Sequence, residues 1–313
     1  KIKRELTEFG EQDMNQYRRE LICEIKKAYY NASMASGVLD MLRETRKLLL
    51  ENIRVNSKLL ENDKVTVDYL YRSQTELSKF DQELQNAEKN RKISLAYFNF
   101  LLNRPLADSI IITGPDTVPL LSGIADYTGS ALQNREELKK LSSYINISEF
   151  MVKLENSGRI PDVFVAVDYG FQGTGYRFNS KQDYVQASAV LSWNLFKGFQ
   201  NRAKIRQSML DREMAEQKLE EAGRQIELQV VNTMSELLTS ERGIPAAEAQ
   251  LRNAREVFRL VNRKYEEGQA SQIEFIDART TLTRAEENLI VSKYSYLISF
   301  AEFEKAAALA KTE

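Results

Sequence analysis

Residues 162–171, Asp162-Val-Phe-Val-Ala-Val-Asp-Tyr-Gly-Phe171, put Val163, Val165, Val167, Tyr169 and Phe171 on one side and Phe164, Ala166, Asp168 and Gly170 on the other. One face is apolar and the other small or polar. The alternation returns in residues 184–195, Tyr184-Val-Gln-Ala-Ser-Ala-Val-Leu-Ser-Trp-Asn-Leu195, after the turn-rich Gly173-Thr-Gly-Tyr-Arg-Phe-Asn-Ser180. Two period-two runs around such a turn predict an antiparallel hairpin over 161–196. Each strand offers about ten residues, the length a tilted strand needs to cross a bilayer. Aromatic residues stand near both ends, Tyr169 and Phe171 by the turn and Trp193 and Phe196 at the far side, as a membrane girdle requires. Alternation by itself also fits a soluble hairpin packed on a helix. Two strands cannot close a barrel, so a spanning version takes strands from other chains or a missing segment.

Outward from the hairpin the period changes, and the two flanks resemble each other at an offset of 205 residues. Apolar or small residues at spacings of three and four run through Leu49, Ile53 and Leu60, then Leu70, Ser73, Leu77, Phe80, Leu84, Ala87, Phe98 and Leu101. Their counterparts are Ala254, Phe258 and Tyr265, then Phe275, Ala278, Leu282, Ala285, Leu289, Ser292, Phe303 and Ala306. Both runs break at one place, Leu60-Glu-Asn-Asp63 against Tyr265-Glu-Glu-Gly268, where Asp63 and Gly268 suit a left-handed residue closing a helix. Each copy therefore reads as a helical hairpin. The three-four spacing is that of a left-handed coiled coil, so the helices pair antiparallel. One helix of the second copy, over about residues 197–267, would be on the order of 100 Å long. Pro245 lies inside it and is expected to kink or interrupt it.

Composition narrows the function. The 313 residues contain no histidine and one cysteine, Cys23, which removes the commonest general base and zinc ligand and any intrachain disulfide. No nucleophile, base or metal cluster stands out, so no enzyme activity and no cofactor are expected. Lys and Arg number 44 against 45 Asp and Glu, a net charge of −1, which provides no field for nucleic acid. No apolar stretch approaches the 18 or so residues of a membrane-spanning helix, so any contact with a bilayer is made by strands. Gly170, Gly173 and Gly175 are assigned to turn geometry, and Cys23 to packing. Asn31-Ala-Ser33 and Asn146-Ile-Ser148 fit a glycosylation pattern but fall on expected helices.

Together these features resemble the outer membrane efflux protein family, the TolC-like outer membrane factors. The resemblance rests on Ala131-Leu-Gln-Asn-Arg-Glu-Glu-Leu138, Gly158-Arg-Ile-Pro161, and Trp193-Asn-Leu-Phe-Lys-Gly198 with Asn201. Arg263-Lys-Tyr-Glu-Glu-Gly-Gln-Ala-Ser271 with Glu274, Asp277, Ala278 and Leu282 completes it. Each motif is weak singly, and their order and spacing are specific. The resemblance implies a mainly α chain of long antiparallel coiled-coil helices in two pseudo-repeats. One β-hairpin would contribute to a trimeric outer-membrane β-barrel continued by a helical tunnel through the periplasm. It implies a homotrimer that docks a periplasmic adaptor and an inner-membrane transporter and conducts exported substrates passively, in efflux or type I secretion. Domain divisions follow at 1–105, the first helical repeat; 106–160, a connecting segment; 161–196, the hairpin; and 197–313, the second repeat. The family has another hairpin before the first repeat. Lys1 reads as lying inside a long helix, so a signal peptide, a short helical lead and that hairpin are expected to be missing. Three such chains would supply about six strands, fewer than the smallest usual barrel.

By the same resemblance, Glu274 and Asp277 face the tunnel at its periplasmic constriction as rings of negative charge. Read without it, they are acids near a helix N-terminus. The family often has an arginine two positions after the turn glycine, where this chain has Ala270. Arg72 or Lys64 is the expected substitute, with Asp68, Tyr69 and Tyr265 as neighbours. Asp63, Lys64, Gly268, Gln269, Ala270 and Ser271 form the helix-hairpin tips that would meet the adaptor. The rival reading is a soluble coiled-coil scaffold without a lumen. It predicts that the odd-numbered hairpin residues pack on this chain's own helices.

Overall fold

The computed structural model describes residues 1–63, 65–112, 126–173, 175 and 183–309. Lys64, the prolines and glycines expected in the connection (Gly114, Pro115, Pro119, Gly123), and most of the hairpin turn lie outside them. Eight elements follow in order: α1 (Ile2–Glu61), α2 (Val67–Leu101), α3 (Tyr127–Asn134), α4 (Glu136–Ser157), β1 (Asp162–Phe171), β2 (Asp183–Ser192), α5 (Gln200–Glu266) and α6 (Gln272–Ala306). No described helix is long and apolar enough to cross a membrane.

The duplication is exact in its boundaries. Val67 and Gln272 open α2 and α6, Leu101 and Ala306 close them, and Glu61 and Glu266 end α1 and α5, each pair 205 residues apart. The turns agree down to the backbone. Asp63 and Gly268 are left-handed, with φ of 54° and 73°, and the N–H of each donates to the carbonyl three residues back, Leu60 and Tyr265, at 3.0 Å. Glycine takes that conformation without strain, and aspartate is among the few others that tolerate it. Asn103 and Ala308, also 205 apart, repeat the left-handed turn after α2 and α6.

Packing follows the same register. Leu39 and Leu42 of α1 meet Phe80 and Ala87 of α2, with Leu49 and Leu84 against them. Leu251 and Ala254 of α5 meet Ala285 of α6, with Leu282 and Leu289 alongside. Phe80 and Ala285, 205 residues apart, thus occupy equivalent core positions in the two copies. Full burial of a side chain such as Leu39 contributes roughly 1.5–3 kcal/mol relative to exposure.

Contacts divide the chain into two compact units, Lys1–Met14 with Glu136–Arg224, and Asn15–Arg135 with Gln225–Glu313. In the first, α4 is held to the start of α1 by a Lys140–Asp13 ion pair, the Lys140 ammonium over the Phe9 ring, and an Asn146–Glu5 hydrogen bond of 3.2 Å. In the second, two buried arginines cap the end of α6. Arg19 donates to the Lys305 carbonyl at 3.3 Å and Arg135 to that of Ala306 at 3.0 Å, satisfying acceptors that a helix end leaves open. The Ala131–Leu138 motif thereby has a structural use.

Pro245 does not interrupt α5, which runs as one helix of 67 residues. Its ring stands exposed, where the missing N–H costs one helical bond and no core contact. Pro245→Ala should therefore raise stability by about 1–3 kcal/mol in chemical denaturation. An unchanged or lowered midpoint would mean that the bundle requires the proline's geometry.

Candidate functional site

β1 and β2 pair antiparallel over their whole ten-residue lengths, Asp162 opposite Ser192 through Phe171 opposite Asp183. The register joins like rows. Val163, Val165, Val167 and Tyr169 lie opposite Leu191, Ala189, Ala187 and Val185, so their side chains form one continuous apolar face. The other face pairs Phe164 with Val190 near the base, then Ala166 with Ser188, Asp168 with Gln186 and Gly170 with Tyr184. The Tyr184 ring lies over Gly170, where an added Cβ would come within 2.9 Å of it, so a side chain there would turn the ring aside.

Nothing among the described residues covers the apolar face. Val165 and Val185 are each 70% exposed, and Val163, Val167 and Leu191 nearly as much. A lone pair of strands is at best marginal in water, and this one carries an aliphatic row on top. The scaffold reading requires that row to sit on the chain's own helices, and it does not.

The ribbon's base is fastened by the motifs that flank it. Trp193 donates from Nε1 to the Arg159 carbonyl at 3.3 Å, and Asn201 donates to the Gly158 carbonyl at 3.1 Å. Gly198 and Phe199 turn the chain into α5 with φ of 53° and 63°. The exposed ring of Phe199 packs edge-on against Phe196, with centroids 5.7 Å apart, and adds an aromatic that the sequence reading did not single out. At the other end Tyr169 and Phe171 make a similar pair at 5.5 Å.

At the helix tips the expected residues separate into three environments. Asp68, Arg72 and Asp277 open onto a groove of about 1570 Å³ between α1, α2 and α6, together with Arg279. Arg72 pairs with Asp68 along its own helix at 3.8 Å. Asp277 is exposed and has no ion pair among the described residues, so its charge is the uncompensated one. Glu274 is committed locally. Its carboxylate accepts from the Ser271 N–H at 2.7 Å and the Ser271 hydroxyl at 3.0 Å, while that hydroxyl accepts from the Glu274 N–H at 3.3 Å. This reciprocal cap starts α6. The Ser271 N–H above all, and its hydroxyl next, hold the Glu274 carboxyl below the ordinary carboxylate range.

Tyr265 does not face solvent. Its ring is buried, stacked on Phe275 at 4.7 Å, and its hydroxyl donates to Asn56 Oδ1 at 2.7 Å. Burial, opposed by that bond, raises its pKa. Around it lies a polar cluster from all four long helices. The Asn56 amide donates to Ser73 Oγ at 2.8 Å and Asn52 Oδ1 at 3.2 Å. That of Gln272 donates to Ser73 Oγ at 2.8 Å and to the Tyr69 carbonyl at 2.6 Å. Tyr69 thus enters through its backbone. Deeper along α6, Arg279 is buried over the Phe258 ring and donates to the Thr45 carbonyl at 2.8 Å. Burial lowers its pKa.

Duplicated helical hairpins joined through a bare-faced ribbon define a class, the outer-membrane channels that share a strand barrel and a helical tunnel among subunits. The family profile for outer membrane efflux proteins matches residues 128–308, and the chain belongs to that family. It consists of channel proteins of the outer membrane, with a helical tunnel in the periplasm. The fold matches the outer-membrane channel OprN with a TM-score of 0.86 at 17% identity, over 98% of this chain and 70% of that one. It also matches the CmeC outer membrane channel of Campylobacter jejuni, with a TM-score of 0.87 at 16% identity, over 98% of this chain and 66% of that one. The MtrE outer membrane channel of Neisseria gonorrhoeae, in its open state, gives 0.84 at 16% identity, over 96% and 68%. No curated protein sequence matches the chain.

The cap at Ser271 is open to test. Ser271→Ala removes one acceptor and one donor and should destabilise the start of α6 by about 1 kcal/mol. Amide exchange at Ile273 and Glu274 would rise, and the Glu274 carboxyl would titrate closer to its ordinary value. Because that carboxyl is depressed in the folded state, its stabilising effect is present above the unfolded pKa and is lost as pH falls through the folded one. Exchange at the tip of the unaltered protein should therefore quicken only in acid, below the ordinary carboxylate range. Equal exchange in Ser271→Ala and parent would show that the cap does not hold the helix.

Proposed function

We propose that this chain is one subunit of a homotrimeric channel that receives substrates from an inner-membrane transporter through a periplasmic adaptor and passes them outward without chemistry of its own. The observation that carries the reading is the exposed aliphatic row of β1 and β2, which no described residue covers. Lipid is the solvent in which that row is stable, and its strand edges require further strands beside them, since hydrocarbon offers backbone groups no partner. Membership in the efflux protein family supports the same reading.

In this account the odd-numbered face meets lipid, the Ser188 and Gln186 face meets the aqueous lumen, and the aromatic pairs sit at the two interfaces. The helix tips, with Asp63, Lys64, Gly268, Gln269, Ala270 and Ser271, meet the adaptor. Of the two acids proposed for the constriction, Asp277 is the stronger candidate, because the Glu274 carboxylate already serves Ser271 and Arg72 already offsets Asp68. Symmetry would repeat Asp277 as a ring of acids that favours cations.

Two experiments on the full-length protein test the reading. Arginine at Val165, on the proposed lipid face, should destabilise the membrane-inserted form by about 2–4 kcal/mol, whereas arginine at Ala166 should be tolerated. Heat-modifiable trimer assembly in outer-membrane fractions reads this, and equal tolerance at the two sites would refute the lipid face. In planar bilayers, Asp277→Asn should lower cation selectivity more than Glu274→Gln. Unchanged selectivity in Asp277→Asn would remove that residue from the pore.

A further inference from the structure

The sequence between Asp183 and Asp211 contains no acid, and its four cations, Lys197, Arg202, Lys204 and Arg206, all fall just below the second strand. Arg159, shortly before the first strand, makes a fifth. All five are exposed, and none has an ion pair among the described residues. Farther along α5 the arginines are treated differently. Arg212, Arg224, Arg259 and Arg263 each bind a glutamate of their own helix at 2.5–3.1 Å. Nor does the helix gain from its early cations. α5 has no acid in its first turn, where α2, α4 and α6 carry Asp68, Glu136 with Glu137, and Glu274. Positive charge there opposes the helix dipole, so the five charges find no use inside the chain.

Two hydrogen bonds set their level. Asn201 donates to the Gly158 carbonyl, so Arg159 and Arg202 each follow a bonded neighbour and stand together at the ribbon's base. Trp193 donates to the Arg159 carbonyl itself, which puts an indole beside that arginine. Along α5, Arg202 and Arg206 lie one turn apart on one flank of the buried Ile205, and Lys204 lies on the other. Ile160, Trp193, Leu195, Phe196 and Phe199 are interleaved with these charges, and all are exposed.

An aliphatic row, then aromatic rings, then unpaired cations is the order in which a membrane passes from hydrocarbon to phosphate. Arginine and lysine suit that depth, because their stems lie along apolar surface while the charge reaches outward. An acidic protein segment would match the charges and leave the adjoining rings in water.

We propose that Arg159, Lys197, Arg202, Lys204 and Arg206 form a basic collar that binds the headgroup phosphates of anionic phospholipids in the leaflet nearest the helices. The collar rests on the lipid face proposed above and adds to it a choice of lipid. It selects negatively charged headgroups among the lipids that touch the ribbon and fixes the depth of the ribbon's base.

Trp193, the one tryptophan in these 313 residues, reports on the collar directly. Full-length protein, with any further tryptophan changed to phenylalanine, is reconstituted in phosphatidylcholine vesicles containing brominated phosphatidylglycerol or brominated phosphatidylcholine. Bromine high on the acyl chain quenches the indole on contact, so the two quenching curves together give the preference for the anionic lipid. The parent should favour phosphatidylglycerol by about fivefold or more at low salt, the factor that a single basic residue contributes near an anionic surface. Arg159→Gln, Lys197→Gln, Arg202→Gln, Lys204→Gln and Arg206→Gln together should abolish that preference, while quenching by brominated phosphatidylcholine persists. If this variant does not insert, Arg202→Gln with Arg206→Gln should lower the preference by about twofold or more. Equal quenching by the two lipids in the parent overturns the collar, leaves the charges to an acidic protein and keeps the lipid face. A preference that survives the substitutions overturns the collar as well. Absence of quenching by either lipid overturns both the collar and the lipid face.

Discussion

A two-stranded ribbon with a continuous aliphatic face and two open edges has to be completed by something outside itself. Water disfavours the face and hydrocarbon disfavours the edges, so the proposed setting, lipid on one side and more strands at both edges, answers both demands. The rest of the chain is consistent with that demand. The Trp193 and Asn201 bonds fasten the ribbon's base, so that its apolar row is presented rather than folded back.

The helical part solves a different problem with a duplicated device. Identical turn geometry at Asp63 and Gly268 and equal lengths of α2 and α6 make two hairpins of one kind, whose cores use equivalent positions. The Asn56, Ser73, Tyr265 and Gln272 hydrogen bonds break the equivalence where the hairpins turn. The exposed acid of Asp277 and the arginine–aspartate pair of α2 lie on the groove beside it, so an open charged surface and a buried polar layer share the same few helical turns.

Much of the fold was legible because two periodicities carry it. The period-two rows of residues 162–195 marked both strands and their apolar face, since a one-residue shift within a row would have mixed valine with aspartate; the pairing register and the exposure of that face came with the structure. The 205-residue offset gave both helix breaks. The candidate site was less legible. Tyr265 was assigned to a constriction by resemblance, although its counterpart Leu60 marks a packed position, and the ring is indeed buried. Glu274 sits three residues after Ser271, the spacing of a capping box, yet its acid was read as facing the tunnel, or as an acid near a helix N-terminus, rather than as half of a cap. Asn56 and Gln272 passed unnoticed because single amides at core spacing resemble surface residues until their partners, some two hundred positions away, are in view. Pro245 was expected to kink or break its helix; the helix runs through it unbroken, at a position exposed to solvent.

The central claim, that this ribbon has lipid on one face and water on the other, is tested most directly by collision accessibility. Nitroxide labels placed one at a time along 163–170 and 185–191 in reconstituted full-length protein would be exposed to oxygen, which partitions into lipid, and to a water-soluble nickel complex. The account predicts oxygen contact at odd positions and nickel contact at even ones, alternating with period two along both strands. Equal nickel contact at odd and even positions, or shielding of the odd row from both reagents, would contradict it.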